Sequence, residues 1–479
     1  MLNLFPRLFS HLNAQYPNNP CMQKRHFIRW KSPKVKEFGP DVTTYTYKEV
    51  GEKCYKFGAA LRAAGCVPSP PTTDLEKVKT PCRMAIFENT CPEWLMSAVG
   101  ASTQSVTVVT VYATLGLDAV VEAINDNIIP VIVCNKSNVK NLVDKKKMMP
   151  TLKAIVYTND LVGSDSNFEI PAAPKGLSIM SFDDFVASGD TASYPPTPPT
   201  ADSTSTVMYT SGSTGKPKGV VITHRSVVAG VAAADILLNM SSDEKYLAYL
   251  PAAHIMEFMI EFCIMRVGST LCYADPKSLT QTGSYPVGAL EVYKPTRMVA
   301  VPKIWDTIKK GLLAKVAKSS PVAQALVHTA LEWRAFATSI GLDTPLFNAI
   351  VFKKFKAAVG GNIRWALSGG GPLNGEVQDF IRTAFGFPLV QGYVSIYIHI
   401  CNLFCFSDKV CKSEFALILL LFSCLIFSPR FGCELNVALL KKLCYVIAGS
   451  HRNLCRTIYS SFRRLEKCSS RSSHSYLRG

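Results

Sequence analysis

An open α/β fold, a largely parallel sheet with helices on both faces, is what this sequence predicts, and three observations carry it. Strand-like and helix-like patterns alternate between residues 46 and 157. The 479 residues are 48% apolar and 18% charged, an ordinary globular composition too long for one small domain. A loop of small residues and lysines joins two β-branched strands around residues 207–223.

The elements follow in order. From Thr46 to Ala64 the apolar residues Tyr47, Val50, Cys54, Phe57 and Leu61 fall at helical spacing and stop near Gly65. Arg83–Glu88 predicts a short strand, Trp94–Ser102 a helix, Val106–Tyr112 a buried strand and Leu117–Asn125 a helix. Ile128–Cys134 and Ala154–Tyr157 predict two further strands. Pro195-Pro196-Thr197-Pro198-Pro199 is a stiff extended spacer.

Charge divides the chain unevenly. Residues 1–393 hold 40 Lys and Arg against 31 Asp and Glu, whereas residues 394–479 hold 12 against 4. Nearly half of the net +17 therefore lies in the last 86 residues. Such charge can attract an anionic membrane or nucleic acid; no nucleic-acid partner is expected, and peripheral membrane contact is kept open. The longest nearly all-apolar stretch, Phe415–Phe427, is too short to span a bilayer as a helix. The eight cysteines before residue 394 have no framework spacing and fit the reduced thiols of an intracellular protein. The tail cysteines form no C-x-x-C pair and have no histidine at finger spacing, so no metal site is expected. Residues 1–36 carry seven Lys and Arg and no acid, which keeps mitochondrial targeting open, although Pro6, Pro17, Pro20 and Pro33 would interrupt a long helix. Residues 1–40 are expected to be an N-terminal extension.

The most informative stretch is Val207–Thr223. Gly212, Gly215 and Gly219 allow successive backbone N–H groups to turn toward one point, forming an anion nest. Thr210, Ser211, Ser213 and Thr214 add hydroxyls, and Lys216 and Lys218 add positive charge. Walker A spacing fails, because only two residues separate Gly212 from Gly215 and Pro217 follows Lys216. A flexible surface linker rarely places two lysines around a proline between β-branched strands.

The string Tyr209–Gly219 resembles the phosphate loop of the adenylate-forming (AMP-binding) superfamily. Glu88–Leu95, Val108–Gly116, Tyr249–Glu257, Lys294–Pro302 and Leu367–Leu373 resemble segments of eukaryotic long-chain acyl-CoA synthetases. The resemblance implies the large N-terminal part of such an enzyme, an adenylation domain over residues 41–393 built from αβα subdomains, with the β-barrel subdomain incomplete and the small C-terminal domain absent. It also implies a long-chain fatty acid–CoA ligase that uses ATP, Mg²⁺ and CoA through an acyl-adenylate.

Residue roles follow from the same likeness. Thr210, Ser211, Gly212, Ser213, Thr214, Gly215, Lys216 and Lys218 would grip the phosphates. His254 would sit beside the carboxylate, its Leu-Pro-x-x-His context favouring this over a satisfied strand-end histidine. Thr210, Lys218 and His254 are thus the catalytic candidates. Glu257 could orient His254 or have no role there. Gly369, Gly370 and Gly371 would offer bare backbone to adenine, with Gln391, Gly392 and Tyr393 beside them. Ile255–Val267, apolar nearly all round, is expected to be core, with tunnel lining as the lesser reading. The family usually associates with endoplasmic reticulum or other membranes.

The pattern breaks after Tyr393. Val394-Ser395-Ile396-Tyr397 stands where the family has Gly-Leu-Thr-Glu, so the family's Glu ligand to Mg²⁺ is missing. Val394-Ser395-Ile396 can be encoded GTA-AGT-ATT, which opens like a splice donor. The tail 394–479 is therefore expected to be translated intron or a shifted frame. The rivals are a genuine isoform whose tail binds a membrane, a catalytically inactive nucleotide- or acyl-binding isoform, and another adenylate-forming enzyme.

Overall fold

The computed structural model describes residues 11–112, 115–163, 166, 168–210, 218–238 and 240–392. The tail 394–479, with every expectation placed on it, lies outside them.

Two sheets organise these residues. The first takes β1 (Pro20–Ser32), β2 (Val35–Thr46), β10 (Lys245–Ala248), β11 (Thr270–Tyr273), β12 (Ser284–Tyr285), β13 (Arg297–Ala300), β14 (Trp365–Ser368) and β15 (Leu389–Gln391). Their order is β12-β2-β1-β11-β10-β13-β14-β15. The second takes β3 (Arg83–Phe87), β4 (Thr107–Thr110), β5 (Val131–Asn135), β6 (Ala154–Thr158), β7 (Ser178–Ser181), β8 (Thr204–Thr210) and β9 (Lys218–Thr223). Their order is β7-β6-β5-β3-β4-β8-β9. Pairing is parallel except at β1–β2 and β8–β9, so the predicted α/β class holds.

Seven helices matter for the site and its surroundings: α1 (Tyr47–Ala63), α2 (Pro92–Thr103), α3 (Leu117–Asp126), α4 (Ile255–Arg266), α5 (Pro302–Ala317), α6 (Pro321–Ser339) and α7 (Gly375–Phe385). The start predicted at Thr46 is a capping box: Thr46 Oγ1 accepts from the Glu49 N–H, and the Glu49 carboxylate accepts from the Thr46 N–H at 2.7 Å.

Period-two alternation divides the second sheet's side chains between two cores. Met84, Ile86, Val108 and Val133 face α1 and α2, while Ala85, Phe87, Val109 and Ile132 face α3 on the other side. A sheet covered by helices on both faces is the αβα layering expected. α2 and α4 are buried almost all round and share one core with strands of both sheets, and Trp94 of α2 meets Phe258 of α4 edge-on at 6.1 Å. A helix apolar on nearly every face must be enclosed, and Ile255–Arg266 packs as core.

One expectation is corrected. Within the expected extension, residues 20–32 form β1, an interior strand pairing in parallel with β11 through Met22–Leu271 and antiparallel with β2. The expected boundary at residue 40 falls inside β2. The pairing spans some 250 residues, so local sequence pattern alone does not reveal it.

Candidate functional site

In open α/β sheets, ligands gather at the carboxyl ends of strands where the strand order reverses. Here the carboxyl ends of the two sheets are tied to each other. Thr90, just past β3, donates its hydroxyl to the Leu250 carbonyl at 2.6 Å and accepts from the Ala252 N–H at 2.7 Å. Thr110, ending β4, donates to the Ala253 carbonyl at 3.3 Å. The segment after β10, which carries His254, is therefore held against the second sheet next to β8.

His254 caps α4. Its Nδ1 accepts from the Met256 N–H at 3.2 Å, so the neutral ring carries its proton on Nε2. Desolvation lowers the ring's pKa, and a neutral donor remains at the exposed edge. Glu257 does not orient it. That carboxyl is fully buried and accepts from the Tyr246 hydroxyl at 2.7 Å, so of the two possibilities for Glu257 the orienting one is excluded.

The glycine turn lies close by. Gly369 donates its N–H to the Ala300 carbonyl at 3.1 Å, and Gly392 donates to the Ser368 carbonyl at 2.8 Å. Gly370 has φ +78°, which L side chains rarely adopt. A Cβ on Gly369 would come within 2.5 Å of Met256 Sδ, two residues from His254. The turn thus presents flat backbone beside α4, suited to a planar ring. Gln391 has a bracing role: its Oε1 accepts from the Leu373 N–H at 3.1 Å and its Nε2 donates to Gln378 Oε1 at 2.9 Å, pinning the far side of the turn to β15 and α7.

The lysine-rich loop is anchored as predicted. β8 and β9 pair antiparallel, with Thr210 opposite Lys218 and Tyr209 opposite Gly219. Tyr209 Oη accepts from Asn127 Nδ2 at 2.9 Å. A Cβ on Gly219 would come within 2.8 Å of Val207 Cγ1. Ser211, Gly212, Ser213, Thr214, Gly215 and Lys216 lie outside the described residues, as does Tyr393. Because β8 is parallel to β4, the mouth of this loop opens on the same edge as Thr110 and Ala253. The structure thus gathers the loop mouth, His254, Gly369–Gly371 and Gly392 at one end of both sheets.

A charged cavity of about 130 Å³ adjoins this edge. Lys24 Nζ contacts Asp160 at 3.0 Å and Glu93 at 3.2 Å. Desolvation opposes the lysine's charge, but these two carboxylates outweigh it and hold its pKa well above the usual lysine range. Glu88, 3% exposed, accepts from Thr158 Oγ1 and from the Asn89 N–H, yet burial pushes its pKa up to about 8. Sequence reasoning misses this cluster, because Lys24 comes from the supposed extension and its partners from distant elements.

The comparisons agree with this geometry. Residues 10–394 match the AMP-binding enzyme family, the match ending where the composition changes. The chain is 34% identical over 326 residues to long chain acyl-CoA synthetase 8 of Arabidopsis thaliana, covering 65% of this chain and 45% of that protein. It is 33% identical over 346 residues to long-chain-fatty-acid–CoA ligase 2 of Schizosaccharomyces pombe, covering 71% and 49%. The chain thus spans about half the length of these curated relatives. Its fold superposes on the adenylation domain of a carboxylate reductase from Mycobacterium chelonae with TM-score 0.59 at 18% identity, covering 82% of this chain and 57% of that one. The carboxylic acid reductase adenylation domain from Segniliparus rugosus, solved with AMP and a co-purified carboxylic acid, gives 0.58 at 18% identity, covering 82% and 60%. By sequence match, fold and the residues assembled at its sheet ends, this chain belongs to the AMP-binding enzyme family.

Proposed function

We propose that this chain carries the adenylation machinery of an ATP-dependent long-chain fatty acid–CoA ligase. The observation that supports the reading best is the convergence of His254, the Gly369–Gly371 turn and the mouth of the Thr210–Lys218 loop at one end of two largely parallel sheets. In this reading the loop's amides, hydroxyls and lysines hold the ATP phosphates, and the turn receives adenine. The fatty acid carboxylate attacks the α-phosphate, forming the acyl-adenylate and releasing pyrophosphate. His254 donates Nε2–H to a carboxylate oxygen and fixes its direction of attack. The CoA thiol then loses its proton and attacks the acyl carbon, displacing AMP and leaving the thioester. Among the described residues no group of three His, Cys, Asp or Glu side chains could hold a metal ion.

The test is fatty-acid-dependent exchange of pyrophosphate into ATP, read beside ATP binding. The parent chain should bind ATP, and Thr214→Ala with Lys218→Ala should weaken binding at least about tenfold, the loss of two charge-assisted contacts. His254→Ala should lower exchange with ATP binding kept. Unchanged ATP affinity in the double variant would overturn the reading. Val394–Tyr397 in place of Gly-Leu-Thr-Glu favours a second reading, a nucleotide- and acyl-binding protein without turnover; tight ATP binding with no exchange would establish it.

A further inference from the structure

Among the described residues, fourteen large apolar side chains are exposed, and nine of them fall between Leu313 and Ile350. Most belong to α6 and the segment after it. α6 buries Ala330, Arg334 and Ala337. At 100° per residue, Val322, Leu326, Trp333, Phe336 and Ile340 fall on a second line about 80° round the helix from that buried face. Their exposures are 79%, 39%, 56%, 56% and 55%. The line is about 27 Å long at the helical rise, with Trp333 and Phe336 in contact at 6.0 Å between ring centres. Leu346 and Ile350, 67% and 47% exposed, extend the apolar surface. A helix with one stripe buried and a second, apolar stripe in solvent has a second surface to cover.

Charge identifies what covers it. Residues 302–361 hold nine Lys and Arg against three Asp and Glu. Lys315 and Lys318 are exposed just before α6, and Lys353 and Lys354 are exposed just after Ile350. We propose that this outward face of α6, with the flanking lysines, is a docking surface for an anionic lipid bilayer. Exposed tryptophan and phenylalanine bordered by lysines suit the headgroup boundary, where rings enter the apolar layer and ammonium groups meet lipid phosphates. A second copy of this chain would set lysines against lysines across a two-fold axis. The chain's own tail, with 12 basic against 4 acidic residues, carries the same sign as this face. Among the described residues no helix is long and apolar enough to cross a membrane, so α6 would lie along the surface. The inference does not depend on the ligase reading, since lipid binding is measured without turnover.

The test is flotation of the full chain with vesicles of phosphatidylcholine alone and of phosphatidylcholine mixed with phosphatidylserine. The parent should float with the mixed vesicles, bind the neutral ones less, and be released by salt. Trp333→Glu with Phe336→Glu should lower partitioning at least about tenfold with no change in thermal unfolding, because both side chains are exposed. Val322→Asp with Leu326→Asp should act in the same direction and guards against a folding defect in the first variant. Three results would overturn the proposal: no flotation of the parent, undiminished flotation of both double variants, or a change confined to oligomeric mass in light scattering, which would assign the face to a second copy.

Discussion

Glu261→Gln tests the buried interior most sharply. Glu257 and Glu261 lie one turn apart on α4, both fully buried. Glu261 Oε2 accepts from the Tyr273 hydroxyl at 3.0 Å, and Glu257 is held by Tyr246. Their second oxygens have no hydrogen-bond partner. Burial pushes Glu261 from an ordinary 4.5 up to about 8 and raises Glu257 well above its usual range, so both are neutral acids near pH 7. A raised carboxyl pKa means that the folded chain holds a proton the unfolded chain has released. Stability therefore falls with rising pH from about 4.5 and levels off above about 8. Each such proton contributes a slope of about 1.4 kcal/mol per pH unit, which accumulates to the order of 5 kcal/mol across that window. Glutamine keeps an acceptor for Tyr273 and cannot ionise. We expect Glu261→Gln to lie within about 1 kcal/mol of the parent at pH 5.5 and above it at pH 8.5, the difference growing steadily between. Urea unfolding followed by tryptophan fluorescence at several pH values measures this. Parallel stability curves for the two chains would refute the reasoning, because they would mean that Glu261 is already charged and solvated at neutral pH.

Two further predictions concern packing and charge. A Cβ on Gly100 would lie 2.8 Å from Phe57 Cδ1 and 2.9 Å from the Cys54 carbonyl oxygen, so Gly100→Ala must push α1 and α2 apart; we expect a loss of about 1–3 kcal/mol, read as a lower unfolding midpoint. Arg297 Nη2 meets Glu244 Oε1 at 2.8 Å in a pair 10% and 4% exposed, and Arg297→Met should cost about 3–5 kcal/mol by leaving a buried carboxylate without its cation. Adding Glu244→Gln to that variant should recover part of the loss in the same denaturation assay.

Much of the fold and the outline of the site are legible from local pattern. The strands at 83–87, 131–135 and 154–158 and the helices at 47–63, 92–103 and 117–126 match their predicted spans to within a few residues. Backbone preference and the two- and 3.6-residue periods act over single elements, and a chain shows them without its partners. The two strands that flank the glycine- and lysine-rich loop, β8 and β9, are legible for the same reason.

What the tertiary structure alone decided is where elements far apart in sequence meet. It made residues 20–32 an interior strand by pairing them with β11, and it turned Glu257 toward Tyr246 rather than His254. It also closed Lys24, Glu93 and Asp160 into one cluster. A buried charge is stable only where opposite charges or donors from other elements surround it, and a strand edge is satisfied only by the neighbour that reaches it. Both conditions depend on closing long loops around a shared core, which no local stretch of sequence encodes.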